Sequence, residues 1–357
     1  MSQLLRADHA MDAPQPHTDE PRGTVKRAYR PTPTHVVAGV VLVLLVVSQV
    51  AVTSSFFSAS TLSTLTPLVG VLVLVAVGQA LVVSTGGIDL SLPGTVTVMG
   101  AIVLKQSGGT DGGLLGALLL CVAACVVIGL VNGLLVEALG LNSLVVTLAV
   151  GQLVAGGTQI YRGAVPPVQE VPPALADLAG ADVGGVSWIL LLGVVLAVLA
   201  TAFLHRTVPG RRLVAASTAE RAASLTGIRA RGYRIGAYVL AALAYGVAGV
   251  LAAGATRTPD LTLGDPYLLT SVVAVVLGGA VLTGGRVSPV ATLLGAVFIA
   301  VLDFDLRVQG LSAGARMTVQ GAVLVLGLAL IHGVQGRATL ARALRRSARR
   351  PDAQPSR

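Results

Sequence analysis

Long stretches of Val, Leu, Ala and Gly alternate along this chain with short polar links. Ten apolar runs can be laid out, over 36–52, 65–83, 93–104, 114–136, 143–161, 186–204, 235–255, 268–283, 288–302 and 316–332. The apolar positions are continuous within each run, which is the pattern of a membrane-embedded helix and not of a barrel strand. A perpendicular span needs roughly 20 residues. The third and ninth runs fall short of that, so they are expected to be tilted, broken or re-entrant. Two polar stretches flank the apolar region. Residues 1–35 carry scattered prolines and read as a disordered cytoplasmic tail. They lack the early apolar run and small-residue cleavage site of a secretory signal. Residues 333–357 read as a second, basic tail, which leaves 36–332 as the transmembrane domain.

Composition removes the soluble alternative. Hydrophobic residues make up 54% of the chain and charged residues 11%, against roughly 25% charged in soluble domains. The mean hydropathy is +0.82. Backbone groups in lipid must satisfy themselves in helices or a closed barrel. The expected fold class is therefore all-α, a polytopic transmembrane helical bundle of about ten spans. The 43 glycines suit close helix approach.

The net charge of +9 is placed unevenly. Of the 25 Lys and Arg residues, five lie in 1–35, seven in 205–234 and seven in 333–357. With ten spans and a cytoplasmic N-terminus, all three segments fall on the inside, together with the links holding Asp89, Glu137 and Arg286. The outer links then hold Lys105, Arg162, Arg257 and Arg307, with Arg316 at the edge, and eight of the 16 acids. This is the positive-inside bias, and it places both termini in the cytoplasm. It does not suggest a nucleic-acid partner. Cys121 and Cys125, four apart on one apolar run, read as small packing residues; they cannot bridge within a helix, and two thiols alone do not make a metal site.

One polar island breaks the apolar region, "STAERAASLTGIRARGYR" at 217–234. Ser217 and Glu220 have capping-box spacing. Ala219, Ala222, Ala223 and Leu225 favour helix, and Gly227 with Ile228 fits a left-handed C-cap. The pattern predicts a short helix over 218–226, about 13 Å long. So short a helix needs a support. Its thin apolar face favours the groove of a partner protein over the lipid surface. Elsewhere, "VVSTGGIDLSLPGTVTVMGAIV" (82–103) and "AVLTGGRVSPVATLLGAVFIAV" (280–301) share a Thr-Gly-Gly between two apolar runs. Transporters are often built from duplicated halves, although two such hits in a glycine-rich chain also arise by chance.

The chain resembles the permease subunit of ATP-binding-cassette importers for ribose, xylose and related sugars. The resemblance rests on "TGGIDLS" (85–91), "NGLLV" (132–136), "VVTLA" (145–149), "ERAASLTGI" (220–228) after Gly210-Arg211, and "AVVLGGAVLTGG" (274–285) followed by Gly295. It runs from about residue 60 to 332. The chain departs from the family pattern at Arg221, Ser224, Pro93, Asn142, Ser143, Val287 and Ala291. The resemblance implies that 205–234 is a coupling loop whose short helix docks on a separate ATPase through Glu220, Arg221, Ala222, Ala223, Leu225, Gly227 and Ile228. It also implies an extracytoplasmic sugar-binding protein, a second permease (a homodimer or a similar chain), and a multi-pass position in the bacterial cytoplasmic membrane. ATP and Mg would be bound by the ATPase. The chain itself offers no P-loop, since Lys26 precedes Arg27 and Lys105 precedes Gln106. No paired carboxylates or nucleophile motif suggest an enzyme, and the five histidines, at 9, 17, 35, 205 and 332, are scattered.

Candidates for gating or the solute path are Gly86, Gly87, Asp89, Asn132, Gln152, Gly278, Gly279, Gly284 and Gly285. Asp89 reads as a helix cap or as a buried gating acid. Gly86 and Gly87 read first as a tight turn and second as a point of close solute approach. Gln79, Asn132, Gln152, Gln159 and Gln320 suit interhelical hydrogen bonds. Tyr161, Trp188 and Tyr267 suit the outer aromatic belt. An ion-gradient-driven secondary transporter is the rival reading, with Asp89 as its one serious ion-binding acid.

Overall fold

The computed structural model describes residues 33–163, 169–218, 223, 227, 229–326 and 329. Both expected tails lie outside these residues, except for the last three positions of 1–35. Each of the ten predicted runs holds a helix among the described residues: α1 (Pro33–Val47), α2 (Ala59–Ser84), α3 (Leu92–Ser107), α4 (Asp111–Gly133), α5 (Ser143–Arg162), α7 (Trp188–Arg206), α9 (Ala230–Thr256), α10 (Tyr267–Leu277), α11 (Pro289–Val308) and α12 (Ala313–Leu326). Single π-helical turns, Ser48–Val52 and Leu134–Ala138, extend α1 and α4. Six of these helices, α2, α4, α5, α7, α9 and α11, are long and apolar enough to cross a membrane.

α2 is the central element. Ser58 caps it, its hydroxyl accepting from the Thr61 N–H at 3.3 Å. From Val69 to Ser84 every residue is buried, as expected of a helix that is apolar on all sides. α7, α9, α10 and α11 surround it. Two glycines permit that crowding. A Cβ on Gly70 would lie 2.5 Å from Leu190 N of α7, and one on Gly78 would lie 2.7 Å from the Tyr245 ring of α9. The outward faces of α4, α5 and α7 carry exposed Leu119, Leu153 and Val195, apolar side chains that need lipid or another subunit against them.

Three expectations are corrected. The run 268–283 is not one helix, because α10 stops at Leu277. Gly278 and Gly279 follow, Gly279 with φ +83°, and the chain stays non-helical until Ser288 caps α11 through the Ala291 N–H at 3.2 Å. The ninth run, expected to be short, extends to the 20 residues of α11, whereas α3 keeps to 16. Ser217 is not an N-cap. It lies inside a helix that begins earlier, α8 (Val208–Thr218), and its hydroxyl donates to the Leu213 carbonyl at 2.9 Å. A serine satisfied by the carbonyl four residues back is compatible with a helix interior. Of the predicted 218–226 helix, Glu220, Arg221, Ala222 and Leu225 lie outside the described residues, as does Ile228. Ala223 is helical and buried. Gly227 has φ +77°, as a left-handed cap requires.

The 162–185 link holds structure that periodicity did not suggest. α6 (Pro173–Gly180) and a two-stranded hairpin, β1 (Asp182–Val183) with β2 (Val186–Ser187), cover one end of α2 and α9. The Ser187 N–H donates to Thr66 Oγ1 at 2.8 Å, and the Val171 N–H to the Arg257 carbonyl at 2.9 Å. Asp111 Oδ1 accepts from the Ala174 N–H at 2.9 Å. These links therefore gather at the end predicted to be outer. The segments 84–91, 134–143, 216–218, 230–238 and 278–288 gather at the other.

Candidate functional site

At that second end the two Thr-Gly-Gly segments meet. The first joins α2 to α3 and the second joins α10 to α11. Gly86 has φ +90° and Gly284 φ +93°, so the middle glycine of each segment takes the same left-handed turn, which a side chain disfavours. A Cβ on Gly284 would lie 2.8 Å from Gly86 N, and one on Gly86 would lie 3.2 Å from the Thr283 carbonyl oxygen. The Gly285 N–H donates to the Ser84 carbonyl at 3.0 Å. Two backbones thus cross with no side chain between them. Gly285, φ +109°, faces the end of α8: a Cβ there would lie 3.8 Å from Thr218 Oγ1.

Beside the crossing lies a buried polar cluster built from three helices. The carboxylate of Asp89 accepts from the Ser91 N–H at 2.8 Å and from the Ser91 hydroxyl at 2.6 Å. Ser91 Oγ accepts from Asn132 Nδ2 at 2.8 Å, which ties α4 to the start of α3. Thr147 of α5 completes the ring. Its Oγ1 accepts from the Leu90 N–H at 2.9 Å, and it contacts the Ile88 carbonyl at 3.2 Å. Asp89, Ser91, Asn132 and Thr147 are all at most 1% exposed. Asp89 thus closes a turn onto Ser91 just before α3, whose N-cap Ser91 makes no side-chain cap bond of its own. Gly87 lies against Tyr238 of α9, whose hydroxyl leaves no room for a Cβ on that glycine.

The same end is tied to α8 by an ion pair. Arg234 NH1 lies 3.4 Å from Glu137 Oε2, with side-chain exposures of 14% and 10%. Arg234 NH2 also donates to the Ala216 carbonyl at 2.8 Å. α8, the end of α4 and the start of α9 are therefore fastened together where the 219–228 segment leaves and returns.

Of the candidate residues, Gly86, Gly87, Asp89, Asn132, Gly284 and Gly285 come together here. Gly278 and Gly279 form the turn after α10, and a Cβ on Gly278 would be 2.7 Å from Thr292 N of α11. Gln152 does not join them; it is exposed on α5. Three of the five amide residues make interhelical bonds as expected: Asn132 to Ser91, Gln79 with Tyr245 at 2.8 Å, and Gln320 with Asp303 at 2.9 Å. Reading the sequence missed Thr147, Tyr238, Thr218 and the Arg234–Glu137 pair. The one available signal was a lone hydroxyl within an apolar run, for Thr147 and Tyr238, or a hydroxyl or charge outside one, for Thr218, Glu137 and Arg234.

Residues 61–328 match the family described as branched-chain amino acid transport system / permease component. This chain belongs to that permease family. The permease is 30% identical to the ribose import permease protein of Escherichia coli strain K12 over 294 residues, which cover 81% of this chain and 91% of that protein. It is 33% identical to the ribose import permease protein of Bacillus subtilis strain 168, over 72% of this chain and 80% of the relative. It is 28% identical to the fructose import permease protein of Rhizobium meliloti, over 82% and 84%. No solved structure gives a significant match. The permease is thus a multi-pass helical membrane protein of a transport system, and these relatives give no support to the secondary-transporter reading.

Proposed function

We propose that this permease passes a monosaccharide or a related small polar solute into the cytoplasm by alternating access, driven by a separate ATPase. The observation that carries the reading is the crossing of the two Thr-Gly-Gly segments directly beside the end of α8. A pull on 219–228 reaches Thr218, then Gly285, and then the α2–α3 link through the Gly285–Ser84 bond. Motion of a docked partner is thereby delivered to two helix pairs at once. A gate made of two glycine turns opens by sliding backbones, with no side chain to clear. Glu220, Arg221, Ala222, Leu225, Gly227 and Ile228 form the ATPase contact, and the buried Ala223 anchors that segment to the permease. ATP and Mg are bound by that partner, and this chain contributes no ATP chemistry.

The path itself requires a second permease, either a copy of this chain or a similar one. α5 supports this. Its exposed face carries Gln152, Gly156 and Gln159 at helical spacing, and polar and small residues in a membrane helix favour another helix or a wet path over lipid. An extracytoplasmic binding protein delivers the solute at the outer end. The basic tails and the coupling loop face the cytoplasm.

The test is uptake of labelled ribose and fructose in vesicles with and without the cognate ATPase and binding protein. ATP-dependent uptake is expected only with both. Uptake by the permease alone, driven by a proton or sodium gradient, would overturn the reading.

A further inference from the structure

The outer end holds a cavity of about 400 Å³ between α2, α10, α11 and α12, within the size range of small-molecule sites. It lies far from the glycine crossing. Along α2, Thr64 lines the cavity and Ser84 reaches the crossing; twenty residues separate them, roughly 30 Å at the helical rise. That distance is about the thickness of a bilayer core.

The cavity wall carries a preformed polar group. Asp303 accepts from Arg307 NH2 at 3.1 Å, Arg316 NH1 at 3.2 Å and Gln320 Nε2 at 2.9 Å. The two guanidinium groups and the amide are therefore held in place by one carboxylate. Arg316 Nε is buried with no acceptor, so contact with a ligand falls to the rest of the guanidinium group, which lines the cavity. Gln320 gives its N–H to Asp303 and keeps a carbonyl acceptor. Thr270 donates back to the Pro266 carbonyl at 2.8 Å, which leaves its oxygen free to accept. Phe304 and Tyr267 supply flat apolar surface on the same wall.

We propose that this cavity is an outer binding site for a neutral polyhydroxylated ligand, one monosaccharide ring with its hydroxyls on Arg316, Gln320 and Thr270 and a C–H face on Phe304. This deepens the sugar-import reading and rests on it. Fixed donors and acceptors beside an aromatic face suit vicinal hydroxyls. An anion fits less well, because it would approach the Asp303 carboxylate that both arginines already serve. The site would receive solute at the outer end before the path opens inward.

The experiment uses the full permease in nanodiscs with Met317→Cys as reporter, since Met317 lines the cavity and is 62% exposed. The native Cys121 and Cys125 are buried. Maleimide labelling is followed with D-ribose, D-xylose, D-fructose, inorganic phosphate or phosphatidylglycerol present. At least one sugar is expected to slow labelling severalfold, and Gln320→Met and Arg316→Met are each expected to abolish that protection at unchanged size-exclusion profile. Protection by phosphate or phosphatidylglycerol but by no sugar makes this an anion or lipid site and overturns the proposal, as does no protection at all. ATP-driven sugar uptake by the assembled complex is measured in parallel. Uptake without protection sinks the site and leaves the import function standing. Absence of uptake for every sugar sinks the import function, and the site then has no claim as a substrate site.

Discussion

Gly86 and Gly284, the middle residues of two Thr-Gly-Gly segments nearly 200 residues apart, pack backbone to backbone in the same left-handed turn, φ +90° and +93°. Gly284→Ala would add a methyl group 2.8 Å from Gly86 N, on top of a left-handed penalty of about 1–2 kcal/mol. The variant is expected to insert in the membrane and lose most ATP-driven uptake. Comparison of uptake at matched membrane level checks this; wild-type uptake would mean that the crossing does not have to stay closed-packed.

Gly87→Ala brings a methyl group against the buried Tyr238 hydroxyl. Removing that oxygen should relieve the clash. The double variant Gly87→Ala/Tyr238→Phe is expected to recover a large part of the thermal stability that Gly87→Ala alone loses. A strictly additive cycle would show that the two do not share the contact.

Asp89 offers a division between its two roles. Asp89→Asn keeps an oxygen for the Ser91 N–H and hydroxyl, and should hold uptake within about twofold of wild type, because loss of charge alone leaves the Asp89–Ser91 turn in place. Asp89→Leu strands both donors and should destabilise by about 1–3 kcal/mol. Thermal melts in detergent with parallel uptake decide. A stable but inactive Asp89→Asn would assign the carboxylate charge to gating.

Ala223 is buried within the permease itself, so Ala223→Asp disrupts the packing that holds the proposed ATPase-contact segment in place. Ala223→Asp should abolish copurification of the ATPase while membrane insertion persists, since a desolvated charge costs several kcal/mol. Gly227→Val, at φ +77°, should also weaken association. Arg231→Ala, exposed at the start of α9, should change it little. Full association of Ala223→Asp would relocate the docking surface.

Cytoplasmic termini predict that Arg22→Cys and Arg349→Cys react with a membrane-impermeant maleimide only after permeabilisation. Reaction in intact cells would reverse the orientation.

The helical, membrane-embedded character of the apolar runs was legible in the sequence, because lipid leaves a backbone few options and continuous apolar runs are a strong signal. So was the need for a left-handed residue at Gly227. The boundary errors have local causes. Ser217 has the side chain of an N-cap, but a serine hydroxyl is equally satisfied by the Leu213 carbonyl inside α8, and only the surrounding helix decides between them. The end of α10 at Leu277 depends on Gly279 turning left-handed while Gly278 packs against Thr292 of α11, and their sequence neighbours alone do not force that turn.

The sequence by itself determined that this is a helical membrane permease, because composition and periodicity respond to the solvent and the family motifs are contiguous. Tertiary structure decided what those motifs touch. A glycine carries no side chain to announce its partner, so the meeting of Gly86 with Gly284, and of Gly285 with the end of α8, appears only when α2, α8, α10 and α11 are packed. The outer cavity is of the same kind: Asp303, Arg316 and Gln320 are unremarkable along the chain and become one polar wall only because α12 folds back along α11.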